Sequence, residues 1–133
     1  MSRRHARSGS PYEARYGFSR AVRIGDRILV AGTAPIPPPG EEVAATAYEQ
    51  MWRCGEIALA AITDLGGTAA DVVRTRMFLV DPADADEVGR AHHELFGAAA
   101  PAATMLAAGA LLDPAWRIEI EVEAITELGG ATA

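Results

Sequence analysis

The chain has no lysine: all 12 of its basic residues are arginine. That excludes a Lys Schiff base, a PLP-anchoring Lys and a P-loop Lys together. It has a single cysteine, which excludes an internal disulfide and a cysteine-rich metal site. Aromatic residues make up only 6%. No apolar run reaches the roughly 18–20 residues of a membrane span. The Arg-rich start is not followed by the apolar segment of a signal peptide, so a cytoplasmic protein is expected. At 133 residues the chain has room for one core and not two.

Charge is unevenly placed. The whole carries 12 basic and 18 acidic residues, a net −6. Arg3, Arg4, Arg7 and Arg15 face Glu13 alone among residues 1–15, which leaves 8 arginines against 17 acids in the rest. An acidic body repels phosphates and argues against nucleic acid as the main ligand. Residues 1–15 read as a disordered basic tail, small and polar over 1–10. Residues 16–127 read as the single domain, and 128–133 as a frayed small-residue tail.

Within the domain, periodicity predicts the order ββαβαββ. Residues 16–24 and 27–33 are rich in β-branched side chains about a Gly25-Asp26 turn, a hairpin signature. Residues 34–42 (APIPPPGEE) cannot continue a strand. Met51, Cys54, Ala58, Ile62 and Leu65 recur at helical steps over 43–65, and Gly66-Gly67 closes that helix. Residues 71–80 form a strand, with Val73, Thr75, Met77 and Leu79 on one face and Arg74, Arg76 and Phe78 on the other. Residues 84–96 form a second helix with Val88, Ala91, Leu95 and Phe96 on its apolar side. A mostly alanine strand over 102–108 and a strongly alternating strand over 116–127 complete the set. This is an α+β pattern: a sheet of four or five strands with both helices on one face and the other face open. A domain this small gains by burying that face in a closed homo-oligomer.

The last strand carries the chemistry. Ile118, Ile120, Val122 and Ala124 make its apolar face; Glu119, Glu121 and Glu123 make the other, spaced about 7 Å apart along the strand. A stripe in water is merely solvated. Covered by a neighbouring subunit, it needs cations, and Arg74 and Arg76 alternate onto one face of another strand. A carboxylate beside a guanidinium in a partly dry cleft suits general acid/base work, which nominates Glu121 at the centre of the stripe.

The other candidates carry less. His92-His93 lack further ligands at metal-binding spacing, so no metal is expected. Cys54 lies on an apolar helical face, as an inert buried thiol does. Gly66-Gly67 follows a helix instead of opening one, so it caps and does not cradle phosphate. Trp52 and Trp116 suit packing or an interface. No G-x-S-x-G elbow is present.

Taken together, YGFSRAVRIGDRILVAGTAP (16–35), DLGG (64–67), DVVRTRMFLVD (71–81), EVGRAHHELFG (87–97), PAATM (101–105) and IEIEVEAI (118–125) resemble, in order and spacing, the RidA/YjgF reactive-intermediate deaminase family, formerly called endoribonuclease L-PSP. The resemblance spans residues 16–126. It implies a chorismate-mutase-like fold and a homotrimer whose sheets form a central barrel, with ligand clefts between subunits. It also implies cofactor-free hydrolysis of small enamine or imine substrates to keto acids and ammonia. In that family a strand carboxylate orients or activates water, and that position is Glu121 here. The family's carboxylate-binding Arg falls on Ala103, its pocket Tyr on Phe18, a Ser on Ala31 and an Asn on Gly89. Thr33 and Met105 complete the implied lining. Losing the Arg contact costs a substrate carboxylate about 2–5 kcal/mol. Arg76, or less directly Arg20, is the candidate replacement; otherwise a less polar carbonyl, enamine or imine fits this more apolar pocket. A hydrolase of this type is thus one reading. A non-catalytic trimeric small-molecule-binding or chaperone-like module is the alternative. The older ribonuclease reading lacks a His/Lys pair and a basic surface.

Overall fold

A computed structural model describes residues 2–127. The strands are β1 (Arg3–Ala6), β2 (Ala21–Ile24), β3 (Arg27–Thr33), β4 (Val72–Leu79), β5 (Ala102–Ala107) and β6 (Ile118–Ile125). The helices are α1 (Pro11–Tyr16), α2 (Ala47–Asp64) and α3 (Ala85–Phe96). From β2 onward the order is the expected ββαβαββ. The strands form one sheet, β1-β2-β3-β6-β4-β5, antiparallel except for the β4–β5 pair.

The sheet has six strands because residues 3–6, read as disordered tail, pair with β2. Of the basic side chains that suggested disorder, Arg4 meets a fixed acceptor. Arg4 Nη2 and Arg23 Nη1 both donate to the Leu65 carbonyl, at 3.1 and 2.7 Å, where the α2 macrodipole is negative. Arg4 and Glu13 hold the start of the chain against the rest. Ser10 caps α1 and Gly17 ends it at φ 80°, so Tyr16, expected in the hairpin's first strand, lies in a helix. The predicted frayed tail at 128–133 lies outside the described residues.

α2 begins at Thr46, whose hydroxyl accepts from the Glu49 amide. It ends as its Gly-Gly pair predicts. Gly66, at φ 89°, donates to the Thr63 carbonyl and Gly67 to that of Ile62, a Schellman closure. Buried Met51, Cys54, Ala58 and Ile62 press onto the sheet face made by Ile28, Val30, Met77, Ile118, Ile120 and Val122. α3 packs beside α2 through Val88, Ala91 and Phe96. The helices meet closely at Gly55, where a Cβ would lie 2.5 Å from Leu95 Cδ1. Gln50, fully buried, ties the loops to α2. It donates to the Ala44 and Ala115 carbonyls and accepts from the Arg117 amide.

Two register shifts alter the faces of the sheet. Between Val72 and Arg74 the β4 strand gains a residue against β6, so Val72 is buried and Val73, expected inside, is exposed. From Thr75 onward the alternation is as predicted. A second shift between Val30 and Thr33 places Gly32 against the carboxyl end of Glu119.

Candidate functional site

The face of the sheet away from the helices carries the glutamate stripe of β6. Register sets its neighbours: Arg74 is opposite Glu123, Arg76 opposite Glu121 and Phe78 opposite Glu119. The arginine supply therefore falls along the strand. Glu123 is approached by Arg27 Nη2 at 3.5 Å, Arg74 Nε at 3.8 Å and Arg76 Nη1 at 3.4 Å. Glu121 is approached by Arg76 Nη1 alone, at 3.4 Å. Glu119 makes no ion pair among the described residues. Glu121 and Arg76 remain 42% and 39% exposed at their side chains, so this bridge is worth little as stability and leaves a carboxylate oxygen free. Leu29, Val73 and Leu106 are exposed apolar neighbours on this face.

Glu119 is the perturbed member of the stripe. Burial pushes its carboxyl above the ordinary carboxylate value; the Arg20 charge works against that rise and the Glu121 charge adds to it. Gly32 leaves the necessary room, since a Cβ there would sit 2.4 Å from Glu119 Oε2. Glu119 lines a cavity of about 310 Å3 with Phe18, Arg20, Thr33, Tyr12, Tyr16 and Trp116. Tyr12 meets Trp116 edge-on, with centroids 6.1 Å apart, and lies 5.9 Å from Tyr16.

The N-terminal segment builds this wall through one buried pair. Glu13 and Arg20 are 4% and 5% exposed, and Arg20 Nε lies 3.2 Å from Glu13 Oε2. Burial would raise the Glu13 carboxyl, but donation from the Ser8 hydroxyl and amide, with Arg20, holds it below its ordinary value. Arg20 also donates to the Gly32 carbonyl and to Thr33 Oγ1, and its guanidinium lies 5.5 Å from the centre of the Phe18 ring. Arg20, weighed above as a substitute carboxylate binder, is thus taken up in holding the wall.

The remaining candidates lie elsewhere. Ala103 and Met105 pair with Thr75 and Met77, so they share the helix-side face at the β5 edge, with Gly89 of α3 beside Met105. Ala31 is half-buried in β3 and donates to the Arg20 carbonyl. Ala31 and Thr33 of β3 are therefore three strand positions from Ala103 and Met105, roughly 14 Å at the usual strand spacing, while Phe18, expected in the hairpin's first strand, lies in the loop between α1 and β2. Within one chain the candidates form two groups, and Glu121 and Arg76 lie between them on the opposite face from Ala103 and Met105. Tyr12, Tyr16, Trp116 and Glu119 were missed as site residues. The available signal was the β4 stripe Arg74, Arg76, Phe78, which in antiparallel register leaves one glutamate without an arginine.

His92 is half-buried and shares a 2.8 Å hydrogen bond with Thr75 Oγ1; burial, then the His93 charge, lowers its basicity. Burial pushes the Cys54 thiol far up, which makes it unreactive. No cluster of potential metal ligands occurs among the described residues, and none of their helices is long and apolar enough to cross a membrane.

This six-stranded mixed sheet, with α2 and α3 packed on one face, is the architecture of the YjgF-type proteins, a chorismate-mutase-like fold. The family model for Endoribonuclease L-PSP matches residues 9–126, and the chain belongs to that family, the RidA/YjgF family. It is 40% identical over 121 residues to the uncharacterized protein SCO2049 of Streptomyces coelicolor, covering 91% of this chain and 90% of that one. It is 34% identical to the RutC family protein y4sK of Sinorhizobium fredii, covering 84% and 86%. Among solved structures, Rv2704 of Mycobacterium tuberculosis, a YjgF/YER057c/UK114 family member, superposes with a TM-score of 0.86 at 36% identity. That match covers 94% of this chain and 100% of that one.

Proposed function

We propose that this protein is a cofactor-free hydrolase of small enamines or imines, a deaminase of the RidA type, acting in the cytoplasm as a homotrimer with clefts between subunits. The observation that carries this reading is Glu121, held through one oxygen by Arg76 on an uncovered sheet face where charged side chains stand among exposed apolar ones. Its free oxygen can take a proton from water attacking an iminium carbon. The C–O bond forms, and the proton passes to nitrogen as the C–N bond breaks. The hydroxyl proton passes through the same carboxylate to the departing ammonia, and ketone and ammonium leave. An enamine is first protonated at carbon to reach the same iminium.

A homotrimer would account for two features of the chain. The exposed Leu29, Val73 and Leu106 leave this face suited to burial against a second copy. A neighbouring subunit would also bring an Ala103–Met105 edge to the Phe18–Glu121 side, joining the two groups that one chain keeps apart. With the family's Arg position taken to fall on Ala103, as the resemblance implies, and Arg76 engaged by Glu121 and Glu123, an uncharged or weakly polar carbonyl-derived imine is the favoured substrate class.

The test is Glu121→Gln assayed against a panel of amino-acid-derived and uncharged imines. Loss of about two or more orders of magnitude in turnover is expected, with uncharged imines the better substrates of the parent. Unchanged turnover, or no turnover of any imine by the parent, refutes the deaminase and favours a binding module. Light scattering on the eluting protein should give three chain masses; a monomer at micromolar concentration refutes the inter-subunit cleft.

A further inference from the structure

Two arginines stand directly opposite each other on neighbouring strands, Arg4 of β1 and Arg23 of β2. Like charges so placed destabilise a sheet. Their row continues to Ile28 of β3, which is fully buried, so both side chains point to the helix side. There they converge on the Leu65 carbonyl, Arg4 Nη2 at 3.1 Å and Arg23 Nη1 at 2.7 Å, and the two nitrogens stand no farther apart than those two bonds span. Neither arginine takes part in an ion pair among the described residues. Asp64, in the last turn of α2, bridges to neither, and the Asp71 carboxylate is turned to the Thr68 amide and hydroxyl. Capping accounts for one of the pair. α2 has no basic residue in its last turn, and Arg23 fills that role, anchored by further bonds from Nε to the Gly25 carbonyl and from Nη2 to Thr126 Oγ1, both at 2.9 Å. The helix end offers only about half an elementary negative charge. Arg4 therefore brings a second positive charge with nothing to balance it. Its side chain is exposed, and its Nε and Nη1 have no acceptor among the described residues. Gly66 keeps the space beside the pair open, since a Cβ there would lie 3.0 Å from Arg23 Nη1 and 3.9 Å from Arg4 Nη2.

We propose that Arg4 and Arg23 form a binding site for a phosphate dianion, either inorganic phosphate or the phosphate group of a small monoester, held between the two guanidiniums beside Gly66. Two guanidiniums balance two negative charges, and their planar donors match phosphate oxygens. A carboxylate or a phosphodiester brings one charge and leaves one arginine unmatched. The net charge of −6 turns away a polyanion, so the ligand is a small one. The site lies at the β1 edge of the sheet and uses neither Glu121 nor Arg76, so it stands or falls apart from the deaminase reading.

Calorimetric titration of the full chain tests this with four probes at about pH 8, where a phosphate monoester is a dianion: inorganic phosphate, glycerol 3-phosphate, dimethyl phosphate and acetate. The two dianions should bind about tenfold or more tighter than the two monoanions, the worth of one charge-assisted hydrogen bond. Tighter binding of glycerol 3-phosphate assigns the site to an ester, and of inorganic phosphate to the free ion. Arg4→Gln, which spares every bond of Arg23, should weaken the dianions by about the same factor. Arg3→Gln, on the opposite face of β1, should leave them unchanged and controls for bulk charge. A second measurement needs no variant: in the parent chain, phosphate should shift the side-chain Nε–H signals of Arg4 and Arg23 in nitrogen-15 NMR and leave that of Arg3 in place. The site is overturned by no binding of either dianion, by a monoanion binding as tightly, by an affinity that Arg4→Gln does not change or Arg3→Gln reduces equally, or by shifts that miss Arg4 and Arg23.

Discussion

Removing the Glu13 carboxylate should unlatch the first 17 residues and destabilise the whole domain. Glu13→Ala takes away the acceptor of the Ser8 amide and hydroxyl and of Arg20 Nε, and leaves a guanidinium that is 5% exposed without its counter-charge. Breaking a buried pair by deleting one partner costs about 3–5 kcal/mol. Arg20 keeps the Gly32 carbonyl and Thr33 hydroxyl, so the lower end applies, about 3 kcal/mol. With an unfolding entropy of about 2.1 cal/mol/K per residue, 133 residues give about 0.28 kcal/mol/K and a Tm drop of about 11 °C. If the segment detaches before the domain melts, Arg20 regains water and the thermal shift shrinks, but trypsin then cuts at Arg7 and Arg15 under native conditions. Calorimetry and limited proteolysis together read both routes. Replacing the pair with Glu13→Leu and Arg20→Met should recover most of the loss, since an apolar pair avoids the desolvation cost. A Tm change below about 3 °C with Arg7 and Arg15 still protected refutes the clamp.

Two further outcomes follow from the packing and charge. The native pKa of Glu119 lies above its unfolded value, so its contribution to stability is fully present below the unfolded pKa and is lost as pH rises through the native one. Glu119→Gln should therefore gain Tm over the parent near pH 8, with the gain shrinking as pH falls toward 4.5; a pH-independent difference in thermal melts refutes this. Gly55→Val places side-chain atoms where Leu95 already stands 2.5 Å from an added Cβ and should cost about 1–3 kcal/mol in chemical denaturation, whereas an unchanged midpoint would mean the α2–α3 contact is looser than drawn.

Much of the architecture was legible because periodicity is a local property. The Met51-to-Leu65 helical spacing, the Gly66-Gly67 stop and the alternation of residues 118–125 each name an element and the side it buries without knowledge of any partner. The first 17 residues were not legible, since composition cannot show that Arg4 and Arg23 meet a carbonyl at Leu65, 61 and 42 positions away. Val73 was assigned inward because a strict two-residue alternation has no place for the extra residue that β4 carries against β6.

The amino-acid sequence by itself determined the stripe of Glu119, Glu121 and Glu123 on one face and the arginines able to meet it, because alternation along a strand is set by backbone geometry alone. Only the tertiary structure decided how those charges are shared. The antiparallel register of β4 gives Glu123 and Glu121 their arginines and sets Phe78 against Glu119, and the Glu13 contact draws Arg20 away to build the cavity wall. Electrostatic compensation is a matter of distance between strands, and distance between strands is not written along either one.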